Sequence, residues 1–243
     1  MSIQITDLHI SYGDHKAVDG LNLCIASGQM YGLLGPNGAG KSTTIHCLCG
    51  LMSADKGRIE VNGKKVHDDP GSIHQEIGFV PQTLALYENL SVQHNLEIFG
   101  GLFGLNGKEL STRIQWALEI AQLESRESDL VSSLSGGMKR RLNLVSSLLH
   151  DPSIIVCDEP TTGVDPQSRN HLFDSIRALH AEGRTVIYTT HYMEEVESLC
   201  ERVAIMDNGR VIAEDSLDAF MANNQGLEQV FLDLTGRGLR DES

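Results

Sequence analysis

No run of apolar residues in this 243-residue chain approaches the roughly 20 that a membrane-spanning helix needs. The opening Met1-Ser2-Ile3-Gln4 starts no signal peptide. Basic residues are also scarce: 19 Lys plus Arg face 33 Asp plus Glu, a formal net charge of −14, and such a surface repels nucleic acid and anionic lipid. These absences place the chain in the cytosol, exclude nucleic acid as a main partner and direct membrane insertion, and leave any membrane role to another polypeptide. Cysteine follows no metal or disulfide pattern. Cys24, Cys47, Cys49, Cys157 and Cys200 are scattered, and the one C-x-C has no second pair to complete a zinc set. All five are expected to be reduced, buried thiols. His46, His171 and His180 fall on helical stretches without metal-ligand spacing. What remains, 40% hydrophobic and 21% charged, suits one α/β domain with an insertion.

The stretch Gly35-Pro36-Asn37-Gly38-Ala39-Gly40-Lys41-Ser42-Thr43 is a full G-x-x-x-x-G-K-[ST] phosphate loop. Met30 to Leu34 before it reads as a buried strand, and Thr43 to Leu51 after it as a helix. The glycines let successive N–H groups turn inward, and the helix points its positive end at the same spot. A triphosphate fits that concavity. Lys41 would reach the β- and γ-phosphates, the Ser42 hydroxyl would take a coordination position on Mg²⁺, and Thr43 would add a phosphate contact.

The remaining signals sit on either side of a helical interruption. Ile3 to Ile10 reads as a strand with Ala17 to Ile25 as its antiparallel return, and Tyr12 at its end either stacks on an adenine or packs an edge strand. Arg58 to Val66 and Arg202 to Glu214 are hairpins around Asn62-Gly63 and Asn208-Gly209. A disordered connector is expected from His67 to Ser72, ahead of a strand at Glu76 to Val80. Gln82 follows that strand. It either offers an oxygen to Mg²⁺ or water, or is a polar residue leaving a strand. From Thr83 to His150 the pattern is helical, with Ser91 and Ser111 as caps. The apolar run Leu96 to Leu105 either packs within this lobe or helps form a docking surface.

The lobe ends in Leu134-Ser135-Gly136-Gly137-Met138-Lys139-Arg140-Arg141. Three cations near a helix start oppose its dipole, so either an anion belongs there or the cations are merely solvated. Ile154 to Cys157 reads as a strand buried on both faces, ending in Asp158-Glu159. Asp158 can hold Mg²⁺ and Glu159 can orient or deprotonate water. Asp165-Pro166 opens a helix as N-cap and first residue, and His191 ends the next buried strand. A short helix capped by Asp215 or Ser216, another from Gly226 to Leu234, and a polar, frayed tail from Thr235 to Ser243 complete the reading.

Taken in order, these motifs resemble the nucleotide-binding subunit of an ABC transporter over nearly the whole chain. Gly35 to Thr43 matches the Walker A loop, Gln82 the Q-loop, Leu134 to Met138 the signature, and Ile154 to Glu159 the Walker B strand. Gly163-Val164-Asp165 looks like the D-loop, His191 the switch histidine, and Tyr12 the adenine-stacking aromatic. Met138 stands where the signature usually has Gln.

The resemblance implies a P-loop NTPase core, mostly parallel with an N-terminal antiparallel β-subdomain, formed by 1–82 and 152–215. A helical subdomain at 83–151 and a helical tail at 216–243 complete a single 1–243 domain. It implies ATP with Mg²⁺ bound by Ser42, Gln82 and Asp158, Glu159 as general base, and His191 and Gln82 at the γ-phosphate or its water. It also implies a second ATP-binding subunit, whose site is completed by Ser135, Gly136 and Gly137, and a multi-span permease docked near Thr83 to Asn89 on the cytoplasmic face of the membrane.

Leu134 to Leu142, Thr189 to Glu195 and Phe231 to Arg237 are similar to ABC-2 type exporters of the drug and lipo-oligosaccharide kind. A soluble ABC ATPase of an assembly scaffold, as in iron–sulfur assembly, shares every catalytic motif. A small-molecule kinase or GTPase would need a substrate lid or N-K-x-D, and neither is visible. The cargo is not encoded in these motifs.

Overall fold

The computed structural model describes residues 2–222 and 226–235. Strands β1 (Ile3–Tyr12), β2 (His15–Ile25), β4 (Lys56–Val61) and β5 (Lys64–Lys65) form an antiparallel sheet in the order β2-β1-β4-β5. Strands β3 (Met30–Leu34), β6 (Ile77–Val80), β7 (Ile154–Asp158), β8 (Thr185–Thr190), β9 (Arg202–Asp207) and β10 (Arg210–Ser216) form the second, in the order β10-β9-β3-β8-β7-β6. All neighbours in that sheet are parallel except β10, which returns antiparallel to β9. Both Asn-Gly turns have positive φ at each residue, as a two-residue hairpin of this hand requires.

The central strands are buried from end to end, which is why they read as continuous apolar runs. Their side chains still alternate between two cores. Tyr31, Leu33, Ile154 and Val156 face the antiparallel sheet and helix α1 (Lys41–Leu48), whereas Met30, Leu34, Ile155 and Cys157 face the opposite layer. That layer contains α6 (Pro166–Ala181), α7 (Met193–Leu199) and α9 (Gly226–Thr235), through Phe173, Val196 and Phe231. Each such fully buried side chain contributes about 1.5–3 kcal/mol.

A third core joins α3 (Val92–Leu102), α4 (Gly107–Ala121) and α5 (Gly136–Ser146) through Leu96, Leu118, Leu142 and Val145. The apolar run expected at 96–105 divides here. Leu96 is buried in this core, while Leu102 is 74% exposed. The helical lobe meets the parallel sheet through Leu144 and Leu148, which share a core with Val80 and Ile155, and through cations and rings. Trp116 of α4 has the guanidinium of Arg113 at 4.0 Å and that of Arg184 at 5.2 Å, and both arginines pair with Asp151. Beside them the His150 ring stacks on Phe103 at 3.7 Å and places Nε2 3.2 Å from the Ile77 carbonyl.

Several local expectations fail for physical reasons. The connector expected at 67–72 includes the start of a helix, α2 (Pro70–Glu76), because Asp69 accepts the Ser72 N–H as N-cap and Pro70 pre-sets the first turn. Glu76 therefore ends that helix rather than opening β6. Ser111 caps nothing. It lies inside α4 and bonds back to the Gly107 carbonyl, Asn106 being the residue before the helix. Ser91 does cap α3, and Ser216 caps α8 (Leu217–Met221). Cys24 is exposed, because Leu23 and Ile25 on either side of it in β2 face the core. Gly236, Arg237 and the rest of the expected polar tail lie outside the described residues.

The His150 contact carries a pH signature. Burial pulls its imidazole below the usual histidine range, opposed in part by the Ile77 carbonyl, and buried Nδ1 has no acceptor for a second proton. The unfolded chain therefore binds the extra proton first, and stability contributed by neutral His150 is lost as pH falls below about 6.5. His150→Phe keeps a ring for the stack and cannot titrate. Its unfolding free energy, measured in urea between about pH 7.5 and about pH 5.5, should fall less steeply than that of the parent chain. Parallel curves would remove His150 from the acid response.

Candidate active site

The strand order places the carboxyl ends of β3, β8, β7 and β6 side by side, and each expected functional loop leaves from one of them. After β3 the chain turns through Gly35 to Gly40 into α1. Gly35 lies so close to the Met206 carbonyl, and Gly40 to that of Ala17, that a Cβ at either position would collide with backbone. Gly40 also holds φ +100, open to glycine alone at little cost. The Gly209 N–H donates to the Ala39 carbonyl at 3.0 Å, and Asp19 N–H in turn to Gly209 O at 2.9 Å. The β9–β10 turn thus braces the phosphate loop, a role its hairpin pattern did not reveal. Asn37 and Gly38 remain exposed at the loop tip.

Lys41 is 4% exposed, and its ammonium donates to the carbonyls of Gly35 (2.6 Å) and Pro36 (3.1 Å). It also forms an ion pair with Glu159 Oε1 at 3.2 Å. The other oxygen of Glu159 accepts from Gln82 Nε2 at 3.3 Å and lies 3.3 Å from His191 Nδ1. That last contact has the distance of an ion pair without the angles of a hydrogen bond, so buried Nδ1 has no hydrogen-bond partner. Gln82, Glu159 and His191, far apart in the chain, meet over Lys41. The cleft beside them, about 140 Å³, is lined by Asn37 to Thr43, Gln82 and Glu159, with His191 behind the Glu159 carboxylate.

Beneath this group lies a buried polar layer. Asp158 Oδ1 accepts from Ser42 Oγ (3.1 Å) and Thr189 Oγ1 (2.6 Å), while the Glu159 N–H donates to Thr189 Oγ1 (3.0 Å) and Thr189 O (3.2 Å). Glu159 itself sits at φ +44, a left-handed conformation that this pair of bonds helps hold. Behind it, Glu195 is 2% exposed and accepts three hydroxyls: Thr161 at 2.7 Å, Thr190 at 2.7 Å and Tyr188 at 3.0 Å. Burial, and then the Glu195 charge, push the Tyr188 phenol well up. The sequence marks Thr189, Thr190 and Glu195 only as part of a stretch similar to exporters and assigns them no role at the site. Their one chemical signal is two hydroxyls at the end of a strand otherwise buried in apolar surroundings.

Other expected residues stand apart. Ser135 caps α5, accepting the Met138 N–H at 3.3 Å, and neither it nor Gly136 nor Gly137 lines the cleft. Gly137 has a packing reason as well, since a Cβ there would strike Ser168 of α6, whereas Gly136 faces open space. The cations after them are held by different partners. Lys139 pairs with Glu88 at 2.6 Å, Arg140 bonds the Gln82 and Thr162 carbonyls, and Arg141 donates to Gln122 Oε1. Tyr12 is 55% exposed and its hydroxyl donates to Met52 Sδ, outside the cleft. Asp165 accepts Gln167 and Ser168 N–H groups as N-cap of α6; the Ser168 side chain first, and then these backbone bonds, hold its carboxyl below the usual range.

A glycine-rich loop opening a helix beside a buried ammonium, with a hydroxyl and two carboxylates close by, suits a polyphosphate and a hard cation. The site fits Mg²⁺ on its own chemistry, because Ser42 and Asp158 bring two oxygen ligands together.

Residues 18–162 match the family model described as ABC transporter. The chain is 44% identical over 211 residues to the linearmycin resistance ATP-binding protein LnrL of Bacillus subtilis, covering 87% of this chain and 68% of that one. It is 42% identical over 230 residues to the Nod factor export ATP-binding protein I of a Rhizobium species, covering 95% and 76%. Among solved structures, an ATP-binding subunit of an ABC transporter superposes with TM-score 0.85 at 30% identity, covering 97% of this chain and 100% of that one. A dimeric post-hydrolysis ATP-binding cassette bound to ADP and phosphate superposes at 0.78 with 26% identity, covering 88% and 98%.

Thr189→Val tests the buried polar layer, because valine keeps the shape and removes the hydroxyl shared by Asp158 and the Glu159 N–H. Leaving those groups short of partners should cost about 1–3 kcal/mol of unfolding free energy. A urea midpoint unchanged within error would mean that Thr189 does not hold the acidic pair.

Proposed function

The chain belongs to the ABC transporter family, and from that premise we propose that it is the ATP-binding and ATP-hydrolysing subunit of an exporter, paired head to tail with a second such subunit beneath a membrane permease. The carrying observation is the convergence of Gln82 and His191 on Glu159, itself paired with Lys41, beside a cleft that Ser135, Gly136 and Gly137 do not line. A site with its phosphate loop in one place and its second phosphate-type element elsewhere is complete when another copy supplies that element. The dimeric cassette to which the chain is similar supports this reading.

In this reading Gly35 to Thr43 cradle the phosphates of ATP, with Lys41 turning its ammonium from the Gly35 and Pro36 carbonyls toward them. Ser42, Asp158 and Gln82 hold Mg²⁺, which when bound neutralises charge on the phosphate oxygens. Glu159 takes the proton of the attacking water. Gln82 and His191, both already beside its carboxylate, orient that water and the γ-phosphate. Tyr12 stacks on the adenine. Ser135, Gly136 and Gly137 contact the phosphates held by the partner copy.

Among the described residues no helix is long and apolar enough to cross a membrane, which supports a separate permease on whose cytoplasmic face the chain sits. Relatives named for export and for resistance to linearmycin favour the exporter over a soluble assembly scaffold.

Glu159→Gln should retain ATP binding, lose at least about 100-fold in hydrolysis and accumulate an ATP-bound dimer on light scattering. Normal turnover in that variant would exclude Glu159 as the base. A tagged chain captured from detergent-solubilised native membranes should carry a multi-span protein in stoichiometric amount. Recovery of soluble partners alone would overturn the exporter reading.

A further inference from the structure

Arg140 lies on α5, five residues after Ser135, and its guanidinium bridges two loops of the parallel core. Nη1 donates to the carbonyl of Gln82, and Nη2 to the carbonyl of Thr162 at 2.7 Å. Both acceptors lie just beyond strands, after the ends of β6 at Val80 and β7 at Asp158, where no sheet ladder supplies a donor. Thr162 folds back on the acidic residue, its N–H and hydroxyl lying 3.3 and 3.1 Å from the Glu159 carbonyl. The Gln82 amide reaches the Glu159 carboxylate from the other side. The contacts close a ring: Arg140 to Gln82, Gln82 to Glu159, Glu159 to Thr162, and Thr162 to Arg140.

A planar guanidinium fixes the separation of two carbonyls in a way that a lysine ammonium, a single point charge on a flexible stem, does not. The helix bearing it belongs to the lobe with its own apolar core, through Leu142 and Val145. We propose that Arg140 is a positioning residue for the proposed hydrolysis. It ties the Gln82 loop to the Glu159 loop and makes their mutual geometry depend on where α5 sits, so that displacement of the lobe is felt at the water-activating carboxylate. This rests on the hydrolytic reading of Glu159. Lys139 and Arg141 do not share the role, being held by Glu88 and Gln122.

The test uses the full chain as Arg140→Ala and Arg140→Lys. Both variants should lose about 10- to 100-fold in kcat with KM for ATP changed less than about threefold, because the phosphate loop is untouched. Guanidinium ion at non-denaturing concentration should restore part of kcat in the alanine variant and none in the lysine variant. A kcat within about twofold of the parent, or a loss in the alanine variant that guanidinium does not relieve, overturns the proposal. Hydrogen exchange gives a readout independent of turnover. Amides of 82–90 and 159–165 should exchange about tenfold faster in both variants while those of β3 and β8 do not change. Unchanged loops, or acceleration spread evenly over the sheet, would overturn it. Selective acceleration in a chain whose parent shows no ATPase activity would support the tie and refute the hydrolytic reading.

Discussion

The buried ion pair between Lys41 and Glu159 is the constraint on which the arrangement depends. With the two side chains only 4% and 8% exposed, neither charge is tolerable there alone, and loss of one partner in such a pair costs about 3–5 kcal/mol. The pair joins the first residue of α1, after β3, to the residue that follows β7, two strands separated by β8. It can form only if the strand order and the parallel sense are both correct. Everything else at that edge adjusts to it: Gln82 and His191 take up the second oxygen of Glu159, and Ser42 the neighbouring carboxylate. A polyphosphate at this site would compete with Glu159 for the ammonium.

The functional groups stand on a polar floor rather than directly on the apolar core. Thr189 holds Asp158 and the Glu159 amide, and Glu195 gathers Thr161, Thr190 and Tyr188. Such a network is rigid only when every member is satisfied, and it gives the loops after β7 and β8 a common support. The lobe is joined to the core by both kinds of contact. Its own helices pack through Leu96, Leu118 and Leu142, Leu144 and Leu148 enter the core of the parallel sheet, and Arg184 on Trp116, His150 Nε2 at the Ile77 carbonyl and Arg140 on two carbonyls add directional joints.

Much of this could be read from residue order. The phosphate loop is legible because its glycines, Lys41 and Ser42 act within a few residues of one another. Asp165-Pro166 and the two Asn-Gly turns are legible for the same reason. The acidic pair and His191 are legible as residues closing buried strands. Local chemistry also misled. Ser111 has the side chain of a cap but sits a turn inside its helix, and the cations after Ser135 find partners far away in sequence, Lys139 at Glu88 and Arg140 at two backbone carbonyls. Cys24 lies between Leu23 and Ile25 on an alternating strand, and the alternation, not the residue type, decides its exposure.

The division follows from the range of each force. Turn chemistry, capping and hydrophobic periodicity act over one to four residues, so the sequence by itself determined the elements, the phosphate-binding loop and the identity of the groups at the strand ends. Strand order, and with it the meeting of Gln82, Glu159, His191 and Lys41, depends on which buried faces pack together across more than a hundred residues. Only the tertiary structure decided that Gly209 braces the phosphate loop, that Thr189 and Glu195 form its floor, and that Arg140 bridges two loops, because a hydrogen bond at 3 Å leaves no trace in the spacing of residues so far apart.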